Sequence, residues 1–132
     1  MRVAGIAALA PLAQDIVVTG HGGDEVRFLV FPNIAACRAH AGLSDNADVK
    51  DVISHEKVRS AIAQGLARLK AQSSNSSGHA TRALLLAEMA SVDGGEITDK
   101  GYINQRAVLT RRAADLEELN ADGPGRWIAC GT

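Results

Sequence analysis

Ile16-Val17-Val18-Thr19-Gly20-His21-Gly22-Gly23-Asp24-Glu25-Val26-Arg27-Phe28-Leu29-Val30-Phe31 is the stretch on which the fold turns. Ile16 to Thr19 form a β-branched run, and such side chains suit the pleated, half-buried surface of a strand. Gly20 and Gly22-Gly23 interrupt the run, and apolar residues resume from Val26 to Phe31. Two strands over 14–20 and 26–31, joined by a short glycine-bearing connection, predict an antiparallel hairpin. Pro32 brings no N–H to a ladder and ends the second strand. Asn33 is then placed to cap a helix over 34–41.

On the N-terminal side, residues 6–12 read as a short apolar helix stopped near Pro11. On the other side, the polar stretch 42–52 reads as a loop. Ser54 is a good N-cap, with Glu56 in the first turn of the clearest helix. Val58, Ala61, Ile62, Gly65, Leu66 and Leu69 follow the i, i+3, i+4, i+7 pattern of one buried face. Arg68 and Lys70 stand near its end, where the helix dipole favours positive charge. Ser73-Ser74-Asn75-Ser76-Ser77-Gly78 reads as a flexible polar loop without the Gly-Lys-Ser/Thr ending of a phosphate cradle. A third strand is expected over 83–87, a turn at Asp93-Gly94-Gly95, and a last helix from Asn104 or Gln105 to about Leu119. The order predicts one α/β unit of the α+β type, a small sheet of about three strands with helices packed on it.

Composition narrows the function classes. At 132 residues the chain has the size of one domain. Apolar residues make up 46% but aromatics only 3%, so the core must be built from Ala, Val, Leu and Ile. A net charge of −1 gives no uniform field for nucleic acid or an anionic membrane. No zinc-finger spacing or basic stripe restores a nucleic-acid reading. The apolar run from Val3 to Leu12 is too short to span a membrane and lacks a cleavage site. Cys37 and Cys130 do not make a disulfide framework, and reduced thiols in a cytoplasmic protein are expected. Cys37 and His40 lie three apart on one helix, but no second ligand pair accompanies them. A buried Cys, a surface His and no metal site are therefore expected. No Gly-x-Ser-x-Gly elbow supports serine hydrolysis.

The run Gly95-Glu96-Ile97-Thr98-Asp99-Lys100-Gly101-Tyr102 carries the chemistry. It sets a lone Lys100 on a glycine-flanked loop just ahead of a helix. Such a lysine is expected to be exposed and mobile, a point charge for an anionic ligand. The N–H groups at the helix start face the same way. In that helix Arg106, Arg111 and Arg112 come early and Asp115, Glu117 and Glu118 late, against the dipole. A solvated face with Arg111–Asp115 pairing is the expectation. The alternative is that Arg106 adds positive potential near phosphates or docks a larger domain.

Gly95 through Lys100 and on through Gly101-Tyr102-Ile103-Asn104-Gln105-Arg106-Ala107-Val108-Leu109 resembles the C-terminal signature of feruloyl-CoA synthetases and related acyl- or aryl-CoA ligases. These belong to the adenylate-forming, AMP-binding superfamily. Ala10-Pro11-Leu12-Ala13-Gln14-Asp15-Ile16-Val17-Val18-Thr19-Gly20-His21 and the strand ending Leu29-Val30-Phe31-Pro32 join the resemblance. It covers nearly the whole chain up to about Asn120. Many superfamily members place Gly directly before the lysine and a basic residue three positions after it. Asp99 and Ile103 stand there in this chain, as in the feruloyl-CoA-synthetase-like branch.

The resemblance implies that 1–122 is a C-terminal lid domain and leaves 123–132 an unassigned tail. In that family a large N-terminal domain binds ATP and a carboxylic acid. The small domain closes over it and rotates between acyl-adenylate formation and acyl transfer to coenzyme A. By resemblance Lys100 is the catalytic lysine. Thr98, Gly101 and Arg106 lie near substrate or nucleotide, and Gly20 and His21 near coenzyme A. ATP, Mg and coenzyme A would serve the full enzyme, with none expected on this domain alone. The partner would be the large adenylation domain, and the substrate a small carboxylic acid. The family's nucleotide-binding motifs lie upstream of anything present, so the chain is expected to be an excised domain or a subunit, inactive alone. A free-standing α/β interaction or regulatory module is the competing class, and the Lys100 motif counts against it.

Overall fold

The computed structural model describes residues 2–19, 26–72, 80–121 and 126–130. Helix α1 (Arg2–Leu9) leads into strands β1 (Ala13–Thr19) and β2 (Arg27–Pro32), which pair antiparallel as predicted. Three helices follow: α2 (Ile34–Ala41), α3 (Val49–Ser54) and α4 (Glu56–Gln72). They cross over to β3 (Arg82–Leu85), which runs parallel to β2. Helices α5 (Gln105–Arg111) and α6 (Ala113–Asn120) and strand β4 (Ile128–Ala129) complete the order. The sheet reads β1-β2-β3-β4.

Alternation along the strands builds a core on each face. Phe28 and Val30 of β2, Ile16 of β1 and Ala83 and Leu85 of β3 join one apolar cluster with α1 to α4. Leu29, Phe31, Val17 and Leu84 turn the other way and meet Val108 of α5 and Leu119 of α6. Successive strand side chains point to opposite faces, so a strand apolar throughout must be covered on both. The result is a three-layer α/β/α unit, with the helices of the sequence's last third alone on one side.

The structure departs from the expected elements in five places, the first being α1, which covers Arg2–Leu9 where the sequence predicts a helix over 6–12. Residues 49–54 are helical rather than loop, because Asp48 caps them, accepting from Lys50 N at 3.0 Å, and Val52 and Ile53 reach the core. Ser54 does not cap α4. Its hydroxyl donates back to Lys50 O at 2.7 Å, and His55 takes the capping place, Nδ1 accepting from Lys57 N at 3.1 Å. The expected last helix divides at Arg112, whose backbone leaves the helical region (φ −108, ψ 39). The unassigned tail supplies a fourth strand, with Ala129 opposite Arg82 and Ile128 opposite Ala83. The predicted loop 73–78 falls outside the described residues.

One close approach fixes α1 on α4. A Cβ on Gly65 would lie 2.5 Å from Leu9 Cδ2 and 2.8 Å from Ala8 O, so only glycine lets the helices meet this way. Arg68, three residues on, donates to Ala8 O at 2.8 Å, satisfying an orphan carbonyl near the end of α1. Among the described residues, no helix is long and apolar enough to cross a membrane.

Candidate active site

Lys100 stands at the tip of a short hairpin, not on a free loop. At the base, Asn104 N donates to Glu96 O at 2.8 Å. Ile97 then pairs with Ile103, Thr98 N donates to Tyr102 O at 2.7 Å, and Gly101 N returns to Thr98 O at 2.9 Å. Thr98 Oγ1 also accepts from Tyr102 N at 3.2 Å. Asp99, Lys100 and Gly101 are thus a three-residue loop whose last member is left-handed, a common way of closing a hairpin. Gly101 holds φ at +84, a value that costs a side-chain-bearing residue strain. Asp99, Lys100 and Tyr102 face solvent. Among the described residues, the Lys100 ammonium has no hydrogen-bond or ion-pair partner, which leaves its charge available.

The foot of this hairpin is the most heavily bonded carboxylate in the described chain. Glu96 is fully buried. Arg112 donates from Nε to Oε2 at 2.7 Å and from Nη2 to Oε1 at 3.0 Å. Arg111 Nη1 and Ser91 N add bonds to Oε1 at 3.0 and 2.9 Å. The bidentate Arg112 pairing, opposed by burial and aided by Ser91, holds the Glu96 carboxyl well below its usual range, at about 2. Arg112 is itself buried, donates to Met89 O at 2.9 Å and lies over the Phe31 ring at 5.0 Å. The expected Arg111–Asp115 pair is therefore not made. The break at Arg112 takes residues 111 and 115 off a common helical face, and Asp115 pairs with Arg126 instead.

The second foot of the hairpin is the start of α5. Asn104 caps it, Oδ1 accepting from Ala107 N at 3.1 Å. Gln105 then reaches the open side of β1, an edge strand, with Nε2 donating to Ile16 O and Oε1 accepting from Val18 N, both at 3.2 Å. One carboxamide thus copies the donor and acceptor of a neighbouring strand. Between hairpin and sheet lies a cavity of about 210 Å³, walled by Phe31, Met89, Ile97 and Ile103 with Gln14 and Asp15 at its polar side.

The structure brings Thr98, Lys100 and Gly101 together in one turn. Arg106 is exposed in the first turn of α5, beside a shallow groove shared with Leu109 and Thr110. Gly20 and His21 lie outside the described residues. Cys37 is buried, its thiol pushed up to about 11 by burial, while His40 is exposed. No group of three or more metal-ligating side chains occurs among the described residues. A larger cavity of about 490 Å³ opens away from Lys100, beside α3 and the end of β3. Its arginines are engaged: Arg126 with Asp115 and Glu118, Arg59 with the carbonyls of Arg126 and Trp127. Nothing in the sequence around Glu96 signals its role at the hairpin foot. Its arginine partners stand 15 and 16 positions away, beyond any local pattern.

No protein-family model matches the chain, and no curated protein matches it. Among solved structures, it is similar to the A-PCP didomain of carboxylic acid reductase from Segniliparus rugosus in complex with AMP. The TM-score is 0.61 at 20% identity, over 86% of this chain and 15% of that one. It is also similar to the A domain of that enzyme in complex with AMP and a co-purified carboxylic acid, with TM-score 0.56, 22% identity, and 86% and 17% coverage. The shared feature is the fold. This chain spans less than a fifth of either protein's length.

Proposed function

We propose that the chain is the C-terminal, catalytic-lysine domain of an ATP-dependent acyl- or aryl-CoA ligase of the feruloyl-CoA-synthetase-like branch. The observation that carries this is the uncompensated, exposed Lys100 at the tip of a hairpin anchored at both feet. The sequence signature from Gly95 to Leu109 supports it, and so does a fold shared with proteins solved in complex with AMP. The adenylate-forming half of the reading draws on both supports. Transfer to coenzyme A, with Gly20 and His21 near it, draws on the sequence signature alone. A cytoplasmic setting belongs to the same proposal and keeps Cys37 and Cys130 reduced.

In the first half-reaction a substrate carboxylate oxygen bonds to the α-phosphorus of ATP, and the bond from that phosphorus to pyrophosphate breaks. Negative charge gathers on the phosphoryl oxygens between two anions. The Lys100 ammonium stabilises it and aligns the attack without giving up a proton. Arg106, in the first turn of α5, adds positive potential, and Thr98 and Gly101 shape the tip. The large adenylation domain supplies the ATP, Mg and acid pockets. The residues described here offer no ligand cluster for the metal, so no step is assigned to this chain through it.

The test is Lys100→Ala in the longer protein that joins this chain to an adenylation domain, with the two half-reactions measured separately. Acid-dependent pyrophosphate release is expected to fall by about a hundredfold or more. Thioester formation from supplied adenylate should survive. Unchanged pyrophosphate release would overturn the catalytic reading in favour of a non-catalytic interaction module. Intact adenylation chemistry in the wild type without any coenzyme A thioester would remove the ligase assignment alone.

A further inference from the structure

We infer that Glu96 is the positioning residue for Lys100, an inference that rests on the catalytic reading above and adds a residue to it. A buried carboxylate with two guanidiniums is a poor way to gain stability, since well-packed apolar residues do as well or better. What such a cluster supplies is geometry, through a planar, bidentate fork. The geometry specified here is that of the hairpin. Glu96 is its first residue, and the same residue joins both supports: its side chain meets Arg111 and Arg112, and its carbonyl accepts from Asn104, the cap of α5. Lys100 lies midway between Glu96 and Asn104 in sequence.

A two-rung hairpin of this size has little stability of its own in water. The tip faces solvent, so packing does not hold Lys100, and the support must come from the feet. The carboxylate of Glu96 ties one foot to the α5–α6 junction. Asn104 and Gln105 tie the other to the helix start and to the edge of β1. A displacement of about an ångström at a charge-stabilising group is enough to cost about a hundredfold in rate. Glu96 acts on the reaction through Lys100 and touches no substrate.

Two variants and two readouts test this. Glu96→Gln removes the charge and turns one acceptor into a donor facing arginine; Glu96→Asp keeps the charge on a shorter arm. In the 132-residue chain, amide exchange at Gly101, Tyr102 and Asn104 should quicken in Glu96→Gln about tenfold more than it does at Leu29 and Leu84. In the longer protein, adenylation should fall about a hundredfold in Glu96→Gln and recover partly in Glu96→Asp. Thioester formation from supplied adenylate should change less than about threefold in both, since that step does not use the lysine's charge. A uniform rise in exchange across the chain, or equal loss in both half-reactions, would overturn the positioning role and leave a merely structural salt bridge. If Lys100→Ala spares adenylation, the catalytic reading fails, while the exchange result still decides whether Glu96 orders the hairpin.

Discussion

The β1–β2 hairpin and the 96–104 hairpin share an antiparallel topology and are held by opposite means. The first is locked by Ile16, Val17, Phe28, Leu29, Val30 and Phe31, which bury against helices on both faces of the sheet. The second has one apolar rung, Ile97 against Ile103, a solvent-facing tip, and a buried ion cluster at its foot. Apolar burial is strong and non-directional, tolerant of small changes in angle. A bidentate salt bridge is weaker as a source of stability but narrow in the geometry it allows. A scaffold uses the first, and a loop that must aim one ammonium uses the second.

The largest expected effect comes from breaking the apolar hairpin. Phe28→Ala removes a fully buried ring that faces the larger cluster. It should cost about 3–5 kcal/mol, a large part of the stability of a small domain. Urea unfolding should show the midpoint collapse while the slope stays put. A loss under about 1 kcal/mol would mean the sheet is not the scaffold described.

Glu96→Gln should come next, at about 1–2 kcal/mol in global unfolding. The cost of leaving a buried guanidinium with half its partner is relieved in part by local opening of the hairpin. The same carboxylate sets an acid dependence. Folding lowers its pKa from the usual 4.5 to about 2. The stabilisation is therefore complete above about 4.5 and is lost as pH falls towards 2. Wild type and Glu96→Gln should converge in stability across that window, seen as urea midpoints at stepped pH. A gap that stays constant from pH 5 to pH 2 would show that the ion pair is not its source.

How much of this was legible in the sequence follows the same division. The glycine-bounded apolar runs between Ile16 and Phe31 and the spacing from Val58 to Leu69 announced the hairpin and α4. A strand buried on both faces writes itself as a continuous run and a helix as period 3.6. Asp48 ahead of Val52 and Ile53 is a readable cap for α3, but the polar residues around it mask the short helix. The short β4 had no pattern of its own, because two residues cannot show a period. At the candidate site, the Lys100 turn was visible in Thr98 to Gly101. Its anchoring was not, for Glu96 meets Arg112 only once α5 bends at that residue. Local charge spacing pointed Arg111 at Asp115, and tertiary structure overrode it.

Gly101→Ala probes the tip of the weaker hairpin without touching its foot. The residue sits at φ +84 with open space around a would-be Cβ, so the cost is backbone strain alone. Strain of this kind is about 1–2 kcal/mol. It can reach global stability only up to the free energy at which the hairpin opens locally, because beyond that point the tip unfolds and the sheet stays intact. The expected outcome is faster amide exchange at Gly101 and Tyr102 with a urea midpoint shifted little. A full-sized shift would show that the hairpin unfolds with the core, not before it.

The smallest effect tests the one link between the two hairpins. Gln105 lays its carboxamide along β1, giving Ile16 O a donor and Val18 N an acceptor. Gln105→Leu removes both bonds and leaves two groups on an edge strand to water, a loss of about 1 kcal/mol. An uncovered edge is also a template for another strand, so the variant should associate more at high concentration than the wild type. Sedimentation over a concentration series checks that directly. Gln105→Glu separates the bond from the cover. A carboxylate can still accept from Val18 N but sets an oxygen against Ile16 O, so this variant should be no more stable than Gln105→Leu. If it kept wild-type stability, the carboxamide would not be acting as a strand mimic, and the lysine hairpin would be held by Glu96 and Asn104 alone.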